Sequence, residues 1–282
     1  MFVTYFAKAK INLYLHVLGK LESGLHNLES LVAFCNLADK LTFTLSKKTS
    51  IHITGEFAHL VPHGANNLIF QIITYFKKFS NDFNLQVDLI KNIPVAAGLG
   101  GGSADGAATI LACNQLLNLN LSQNELLDIG AKFGSDIPVC LQGKVAFMLG
   151  SGIQIIPTTL PLKKIYILLV NPKAPLLTAK IFQGITNYEK PQELPVKFTS
   201  TKDLFSFLKK QNNSLISNAI HELPIIEDIL NTLKVMKGNV VSMSGSGATC
   251  FALYSNEELA NKAKQALEQK YPNFWVQKSF IV

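Results

Sequence analysis

Four glycines within five positions, in the stretch GLGGGSADGAA at residues 98–108, constrain the fold of this 282-residue chain more than any other feature. Glycine has no Cβ, so it permits φ > 0 and lets backbone N–H groups come close to a ligand. The alternating segment LQVDLI at 85–90 predicts a strand before the run, and the small and apolar residues after it predict a helix capped by Ser103. A glycine loop that opens a helix in this way is typical of a phosphate-binding site.

Two other phosphate-binding motifs do not match this run. A P-loop has the pattern GxxxxGK followed by Ser or Thr, and the chain contains no such string. The dinucleotide-binding pattern GxGxxG would begin at Gly98, but Ser103 stands where its third glycine belongs. A plain strand-to-helix turn is a further alternative, although such a turn rarely needs four glycines. The sequence therefore favours a phosphate-binding loop of another kind.

The composition is that of a globular protein with an excess of positive charge. Hydrophobic residues make up 48% of the chain, charged residues make up 16%, and the net charge is +7. The chain contains no arginine, so it cannot supply an arginine finger to a transferring phosphoryl group. Its lysines are scattered and form no basic stripe with aromatic residues, which argues against a nucleic-acid partner. The positive charge instead favours polyanionic small molecules.

Neither a membrane-spanning segment nor a signal peptide is predicted. No window is apolar for long enough to cross a bilayer, and the N-terminus lacks a small-residue cleavage site after a clean apolar run. The four cysteines are far apart and form no CxxC, so we expect reduced core residues, neither zinc ligands nor disulfides. We therefore expect a cytoplasmic protein without a membrane partner; the sequence leaves monomer and homodimer open.

Strand and helix patterns are mixed along the chain. Strands are predicted at 40–46, 50–55, 85–90, 164–173 and 248–254, and helices at 66–79, 103–119, 122–134, 223–238 and 256–270. Because the strands do not alternate with helices one by one, the predicted fold class is α+β and not a doubly wound parallel sheet. The proline-bearing stretch at 155–164 is the predicted boundary between an N-terminal and a C-terminal domain.

Several segments carry a resemblance to a known family. These are AKAKINLYLHVLGKLESGLHNLES at 7–30, PVAAGLGGGSADGAA at 94–108, GSDIP at 134–138 and VSMSGSGATCFALY at 241–254. In this order they resemble the motifs of the galactokinase, homoserine kinase, mevalonate kinase and phosphomevalonate kinase (GHMP) superfamily. The GGGS and SDIP variants resemble the branch that phosphorylates 4-(cytidine 5′-diphospho)-2-C-methyl-D-erythritol in the non-mevalonate route to isoprenoids.

The resemblance implies a fold and a nucleotide site. It implies a ribosomal-S5-like, ATP-binding domain over 1–157 and a ferredoxin-like α/β domain over 158–282, with the active site in the cleft between them. It implies that Mg-ATP is the co-substrate and that Asn67 and Lys91 face the nucleotide. The loop that would wrap the phosphates comprises Pro94, Val95, Ala96, Ala97, Gly98, Leu99, Gly100, Gly101, Gly102, Ser103 and Ala104. No acidic residue stands in a recognisable metal pattern near this loop, so the Mg²⁺ ligands stay unassigned.

Two charged residues are the candidate catalytic pair. Asp136 follows a glycine and precedes a short predicted helix, and on residue type alone it is a helix N-cap. The resemblance makes it the general base that accepts the proton of the substrate hydroxyl. A lysine on a strand is usually solvated, but Lys10 has apolar neighbours, and the resemblance places it beside Asp136 and the γ-phosphate.

The resemblance also implies a set of substrate-binding residues: Asn12, Leu25, His26, Thr178 and Phe182. Phe182 would lie against the cytosine ring, although on composition alone it is an ordinary core aromatic. The family has tyrosine where this chain has Leu25, so ring stacking worth about 0.5–1.5 kcal/mol is absent on one side of the base. Gly245 and Gly247 would shape a loop of the active site, and a strand-entry turn is the alternative for them.

The expected function is ATP-dependent phosphorylation of the 2-hydroxyl of this cytidine diphosphate substrate. Two alternatives remain at this point: another small-alcohol kinase of the superfamily, such as homoserine kinase, or a nucleotide-binding sensor that has lost catalysis. The presence of both Lys10 and Asp136 argues against the sensor. A substrate panel with detection of released ADP separates the kinases from one another.

Overall fold

The computed structural model describes residues 1–282. Its strands are β1 (Phe2–Lys20), β2 (His26–Leu45), β3 (Ser50–Thr54), β4 (Leu85–Ile90), β5 (Ala146–Gly150), β6 (Gln154–Pro157), β7 (Tyr166–Asn171), β8 (Val240–Met243), β9 (Cys250–Tyr254) and β10 (Trp275–Phe280). Its helices are α1 (Leu68–Phe76), α2 (Gly101–Leu116), α3 (Gln123–Phe133), α4 (Ile137–Gln142), α5 (Thr178–Gln183), α6 (Thr201–Leu208), α7 (Ile216–Glu222), α8 (Ile225–Val235) and α9 (Glu257–Lys270). The α+β class is confirmed, because nearly all strand pairs are antiparallel.

The first compact unit consists of Met1–Lys10, Leu37–Val95 and Gly100–Gly143. Within this unit, β4 is parallel to β3 and antiparallel to the C-terminal half of β2. Side chains of β4 alternate between buried and exposed, so one face of this sheet joins the apolar core. Helices α1, α3 and α4 pack around α2, whose small residues allow close approach.

Local sequence explains where two of these helices lie. The four apolar residues at helical spacing in α1 are all buried, which confirms the predicted face: Ile69, Ile72, Ile73 and Phe76. Helix α3 begins with a capping box, in which Ser122 accepts from the Glu125 amide and the Glu125 carboxylate accepts from the Ser122 amide. It ends at Phe133 with Gly134 as its C-cap, which agrees with the predicted glycine stop.

The predicted start of α2 was wrong. The helix begins at Gly101 and not after Ser103, and its N-cap is Gly100 with φ of 61°. Ser103 lies within the first turn and makes no cap. Serine is a favoured N-cap by residue type, but here a left-handed glycine turns the chain three residues earlier.

The second compact unit consists of Ile11–Asn36, Ala96–Leu99 and Lys144–Val282. The N-terminal half of β2 pairs in it with β5, which in turn pairs with β6. A separate antiparallel sheet has the order β10-β7-β9-β8, which is 4-1-3-2 in chain order, with helices after its first and third strands. This is the ferredoxin-like arrangement that the resemblance implies. Helices α8 and α9 pack on this sheet through buried residues.

Both units draw on segments that are distant in the sequence. The predicted division at 157/158 therefore stays a prediction, since the contacts group the chain in a different way. Three of the four cysteines are buried, and Cys140 is half-buried. None of the helices has the combination of length and apolarity that crossing a bilayer requires.

Candidate active site

Lys10 and Asp136 form an ion pair in the first unit. The Lys10 ammonium lies 2.8 Å from Asp136 Oδ2, and the lysine side chain is 4% exposed whereas that of Asp136 is 29% exposed. Asp136 occupies the N-cap position of α4, but its side chain makes no capping hydrogen bond. The carboxylate is thus oriented by a buried lysine and remains open to solvent on one side, which suits a group that exchanges a proton with a ligand.

The glycine loop begins its helix against this pair. A Cβ added to Gly100 would lie 3.0 Å from Lys10 Cε and 3.1 Å from Lys10 Cβ, so the backbone lies directly on that side chain. Gly101 is enclosed as well, since its added Cβ would lie 2.9 Å from Ile93 Cγ2. Gly102 differs from both, because nothing lies within 4 Å of its added Cβ and the residue is exposed. Open space at the first turn of a 16-residue helix is where a phosphate can approach free N–H groups.

Residues 96–99 of the loop lie in the second unit. Ala96 has φ of 54°, a left-handed conformation that non-glycine residues seldom adopt and that often marks functional loops. Gly98 is needed sterically, because its added Cβ would lie 2.1 Å from the Ser244 carbonyl oxygen. The Ser244 hydroxyl donates to the Gly98 carbonyl at 2.7 Å and accepts from the Asn12 amide at 3.0 Å. The turn at 244–247 therefore fixes this part of the loop.

Lys91 lies at the end of β4, where it holds two carboxylates. Its ammonium lies 2.5 Å from Asp39 Oδ2 and 2.6 Å from Asp105 Oδ2, and all three side chains are buried. The other oxygen of Asp39 accepts from the amides of Asn92 and Ile93, which fixes the segment that leads into the glycine loop. Burial is the largest single influence on Lys91 and acts to lower its pKa, but the combined attraction and hydrogen bonds of Asp105 and Asp39 outweigh it, so the pKa is raised.

A cavity of about 210 Å³ lies beside the first turn of α2 in the first unit. Its polar lining includes Asn67, Lys91, Gly102 and Asp105, and its apolar lining consists of Val61, Pro62, Leu68, Ile69 and Val95. Asn67 caps α1 by accepting from the amides of Ile69 and Phe70, and its side-chain amide donates to the Pro62 carbonyl. The cavity has the mixed lining of a small-molecule site.

One residue that lines this cavity has a buried polar atom without a hydrogen-bond partner. Asp105 Oδ1 is buried and makes no hydrogen bond, while nearby Gly102 leaves room that a Cβ would fill. The open space at Gly102 and the apolar lining of the cavity fit a nucleotide, whose phosphates need free N–H groups and whose base needs an apolar slot.

The side chains that could act as metal ligands do not form a cluster. No group of three or more His, Cys, Asp or Glu side chains in the chain could hold a metal ion. The residues present therefore do not fit a metal cage built by protein alone.

The predicted substrate residues gather in the second unit. The rings of His26 and Phe182 have centroids 4.9 Å apart and are tilted by 39°. His26 Nε2 is buried without a hydrogen-bond partner, and burial together with Lys20 lowers the pKa of this histidine. The Thr178 hydroxyl lies 2.9 Å from that of Ser246, in the glycine turn. Leu25 is 56% exposed.

Asn12 is buried and donates from its side chain to the Ser30 hydroxyl at 2.8 Å. It belongs to the same hydrogen-bond network as the glycine turn, because its backbone amide donates to Ser244. Asn213 supports the turn from the other side by donating to the carbonyls of Met243 and Gly245.

Comparison with known proteins decides the family. The model of the GHMP kinases N terminal domain matches residues 67–144, and that of the GHMP kinases C terminal matches residues 205–273. A 4-diphosphocytidyl-2-C-methyl-D-erythritol kinase of Rhodospirillum rubrum is 36% identical over 272 residues, which cover 95% of this chain and 89% of the relative. The chain belongs to the 4-diphosphocytidyl-2-C-methyl-D-erythritol kinase family of GHMP kinases. A kinase of this family from Bradyrhizobium diazoefficiens is 34% identical over 282 residues, with 95% and 94% covered.

Solved structures agree with membership of this kinase family. A crystal structure of a 4-(cytidine 5′-diphospho)-2C-methyl-D-erythritol kinase has 26% sequence identity and a TM-score of 0.80, and 99% of each chain is covered. Homoserine kinase from Cytophaga hutchinsonii has 17% identity and a TM-score of 0.64, with 100% of this chain and 94% of the other covered. The second likeness shows a shared fold alone. ATP is the co-substrate that membership of the GHMP kinases implies.

Sequence reasoning missed the buried residues that support this kinase site. Asp39 and Asp105 were not singled out, although both contact Lys91. Ser244 and Asn213, which hold the third motif in place, were missed as well. The signal that was available for Asp105 is an acidic residue in the first turns of an otherwise apolar, small-residue helix, where a buried charge needs a partner.

Proposed function

We propose that this chain transfers the γ-phosphoryl group of ATP to the 2-hydroxyl of 4-(cytidine 5′-diphospho)-2-C-methyl-D-erythritol. The product is the 2-phosphate, in the non-mevalonate route to isoprenoid precursors. The observation that carries the proposal is the Lys10–Asp136 ion pair. Lys10 packs against Gly100, the N-cap of α2. The chain that holds this pair is 36% identical to a kinase named for this substrate.

Asp136 acts as the general base. Lys10 engages Oδ2, and the other carboxylate oxygen takes the proton of the 2-hydroxyl as the substrate oxygen bonds to phosphorus. The bond from phosphorus to the leaving oxygen breaks, and ADP leaves with that electron pair. A correctly placed base and fixed positive charge are sufficient protein parts, because phosphoryl transfer depends mainly on positioning and electrostatics.

Lys10 acts as a fixed positive charge. Its side chain is buried, so its ammonium is already fixed in place before the substrate binds and needs little reorganisation. We propose that it orients Asp136 and offsets the negative charge of the transferring group. With no arginine in the chain, this lysine and the backbone N–H groups of α2 are the protein's means of stabilising that charge.

The loop 94–104 holds the nucleotide phosphates in this proposal. The first N–H groups of α2 have no carbonyl partner within their own helix and donate to phosphate oxygens, and Gly102 gives them access. Mg²⁺ enters as part of the nucleotide substrate, since the chain offers no metal cage. We further propose a cytosolic location, where ATP is supplied.

The second unit binds the cytidine diphosphate substrate in this proposal. Phe182 and His26 present neighbouring rings to the cytosine, and His26 Nε2 supplies a polar atom that lacks a partner within the protein. Thr178 and Asn12 supply further polar contacts near the glycine turn. Leu25 lies at the position of the family's tyrosine and offers an exposed apolar contact without a ring.

ADP release with the cytidine diphosphate substrate tests the proposal. Asp136→Asn should lower kcat by roughly 10²- to 10⁴-fold, because the base is lost while the shape is kept. The matched control is Asp128→Asn, an exposed aspartate on α3, which should leave kcat unchanged. Lys10→Met should also lower kcat sharply, with Lys8→Met as the exposed control on the same strand.

Two results would refute this assignment. Full turnover by Asp136→Asn would remove Asp136 as the base. Turnover of homoserine or mevalonate in place of the cytidine diphosphate substrate would move the chain to another activity of the superfamily.

A further inference from the structure

A second cavity, of about 370 Å³, lies within the second unit. One wall is the segment 184–189, which follows α5, and the other is the segment 212–218, which leads into α7. None of the residues proposed above to bind the nucleotide or the substrate belongs to its lining. Its volume is in the range of small-molecule sites, so it is a candidate for a ligand of its own.

Both walls of this cavity are fixed to the same residue of β1 and to each other. The Glu189 amide donates to the Val17 carbonyl at 2.9 Å, and the Val17 amide donates to the Ser214 hydroxyl at 3.1 Å. Across the cavity the side-chain amide of Asn212 donates to Glu189 Oε1 at 2.8 Å. The cavity is therefore already formed without a ligand, which lowers the ordering cost of binding one.

The lining of this cavity disfavours anions. Although the chain contains 26 basic residues, none of the eleven lining residues is a lysine or a histidine. The only charged side chain of the lining is Glu189, which repels a phosphate or a carboxylate. Nucleotides and organic diphosphates are thus poor ligands for this place.

Amides and hydroxyls make up the rest of the polar lining. The polar side chains include Thr186, Asn187, Asn212, Ser214, Ser217 and Asn218. These groups donate and accept hydrogen bonds at once, as the hydroxyl groups of a polyol do. Ile185 and Ile216 offer apolar surface to the C–H groups of such a molecule. A cation fits less well, because Glu189 Oε1 is already engaged and the net charge of the chain is +7.

We propose that this cavity binds an uncharged polyol, a sugar or a sugar alcohol, and that its occupation changes the affinity for the phosphoryl acceptor. Asn213 lines the cavity and donates to the Gly245 carbonyl in the glycine turn. Gly184, which also lines it, is the C-cap of the helix that carries Thr178 and Phe182. A ligand that bridges the walls restricts both segments in advance. This coupling rests on the proposed function, which places Thr178 and Phe182 against the substrate.

Calorimetric titration of the full chain tests the site without any need for turnover. The probes are xylitol, xylitol 5-phosphate and putrescine, which represent a neutral, an anionic and a cationic ligand. Wild type should bind xylitol saturably with a Kd on the order of 1 mM, as expected of so small a ligand. The phosphate and the diamine should bind roughly tenfold more weakly. Asp136→Asn should bind xylitol as wild type does, since Asp136 is not part of this lining.

Asn187→Lys is the decisive variant. Asn187 is exposed, so its replacement leaves the core untouched, and the new ammonium enters the lining. It should weaken xylitol binding roughly fivefold and make xylitol 5-phosphate the tighter ligand. Tyr188→Lys is the matched control, because Tyr188 is exposed, adjacent in sequence and not part of the lining. Its affinities for all three probes should stay those of wild type.

ADP release measures the coupling. Saturating xylitol should lower KM for the cytidine diphosphate substrate by about 2- to 5-fold and leave KM for ATP unchanged. Tyr188→Lys should show the same fall in KM, whereas Asn187→Lys should show none at the same xylitol concentration. This pair of variants separates occupation of the site from a general effect of the polyol on the solvent.

The outcomes separate this inference from the proposed function. Absence of saturable xylitol binding, or equal binding by Asn187→Lys, overturns the site. Tighter binding of putrescine or of xylitol 5-phosphate by wild type overturns the choice of a neutral polyol. Saturable binding with an unchanged KM overturns the coupling. Xylitol binding by a protein that does not turn over the cytidine diphosphate substrate supports the site and refutes the proposed function.

Discussion

Asp105 should make the stability of the chain depend on pH in an unusual direction. Burial raises the pKa of Asp105 from the ordinary 3.8 to about 7. The attraction of Lys91 opposes this rise, and the repulsion of Asp39 adds to it. Between these values the folded state holds a proton that the unfolded state has released. The free energy of unfolding contributed by this group is therefore fully present below about pH 4 and falls as the pH rises to about 7.

Urea denaturation across this pH range, for wild type and Asp105→Asn, checks that expectation. The asparagine cannot titrate, so the difference in unfolding free energy between the two proteins should change steadily from about pH 4 to about pH 7, to the disadvantage of wild type. Curves that run parallel over the whole range would mean that Asp105 does not carry the shifted proton.

Leu25 offers a second prediction at the scale of a single residue. Leu25→Tyr should lower KM for the cytidine diphosphate substrate by roughly tenfold or less, since an added ring contact is worth about 0.5–1.5 kcal/mol. The position is exposed and has room for a larger side chain. Leu25→Met, which adds length without a ring, is the control and should leave KM unchanged. An equal KM in all three proteins would remove this position from the cytosine contact.

The proposed catalytic pair could be picked out from the sequence, whereas the buried residues around Lys91 could not. Lys10 and Asp136 stand inside recognisable motifs, and the structure brings them to 2.8 Å from each other. Asp39 and Asp105 are brought to Lys91 by the pairing of β2 with β4 and by the packing of α2. Such contacts join distant segments, and no local pattern of residue types announces them.

At the scale of the element, the glycines that begin α2 have separable roles. Gly101→Ala should lower the free energy of unfolding by about 1–3 kcal/mol, because its Cβ would overlap Ile93 in a packed site. Gly102→Ala should leave stability equal or raise it by up to about 1 kcal/mol, since nothing is near and alanine favours helix. The same methyl group should raise KM for ATP, because it occupies the space through which we propose that phosphate approaches.

Thermal unfolding together with ATP kinetics separates these two roles. The expected pattern is a lower Tm with Gly101→Ala, and an equal or higher Tm with a raised KM for ATP with Gly102→Ala. If Gly102→Ala used ATP as well as wild type does, the phosphates would not lie at this turn.

Elements with a clear period were predicted well, and the start of α2 was not. Helix α1 and strand β4 have apolar residues at the spacing of a helix and of a strand, and burial follows that spacing. The start of α2 depends instead on the left-handed backbone of Gly100, which packs on Lys10. Only the tertiary contact shows which of several adjacent glycines takes that conformation.

At the scale of the whole molecule, the fold class followed from the mixed pattern of strands and helices. The 4-1-3-2 order of the sheet that contains β7–β10 did not, because strand order depends on which edges meet after the helices have packed. The resemblance to a family supplied that order. The division of the chain into two compact units could not be predicted from local sequence either, because each unit is assembled from three separate segments.

The net charge of +7 supports a final prediction, which concerns association and leaves the chemical step untouched. ATP and the cytidine diphosphate substrate are both anionic, so a positive molecule attracts them from a distance, and salt screens that attraction. Between about 20 and 300 mM NaCl, kcat/KM should fall by about 3- to 10-fold while kcat stays nearly constant. Lys47 and Lys48 are exposed, and changing both to Glu removes two positive charges and adds two negative ones, which lowers the net charge from +7 to +3. Steady-state kinetics at several salt concentrations should then show a weaker salt dependence for the double variant. An equal dependence in both proteins would mean that charges close to the site, such as Lys10, and not the field of the whole molecule, govern substrate capture.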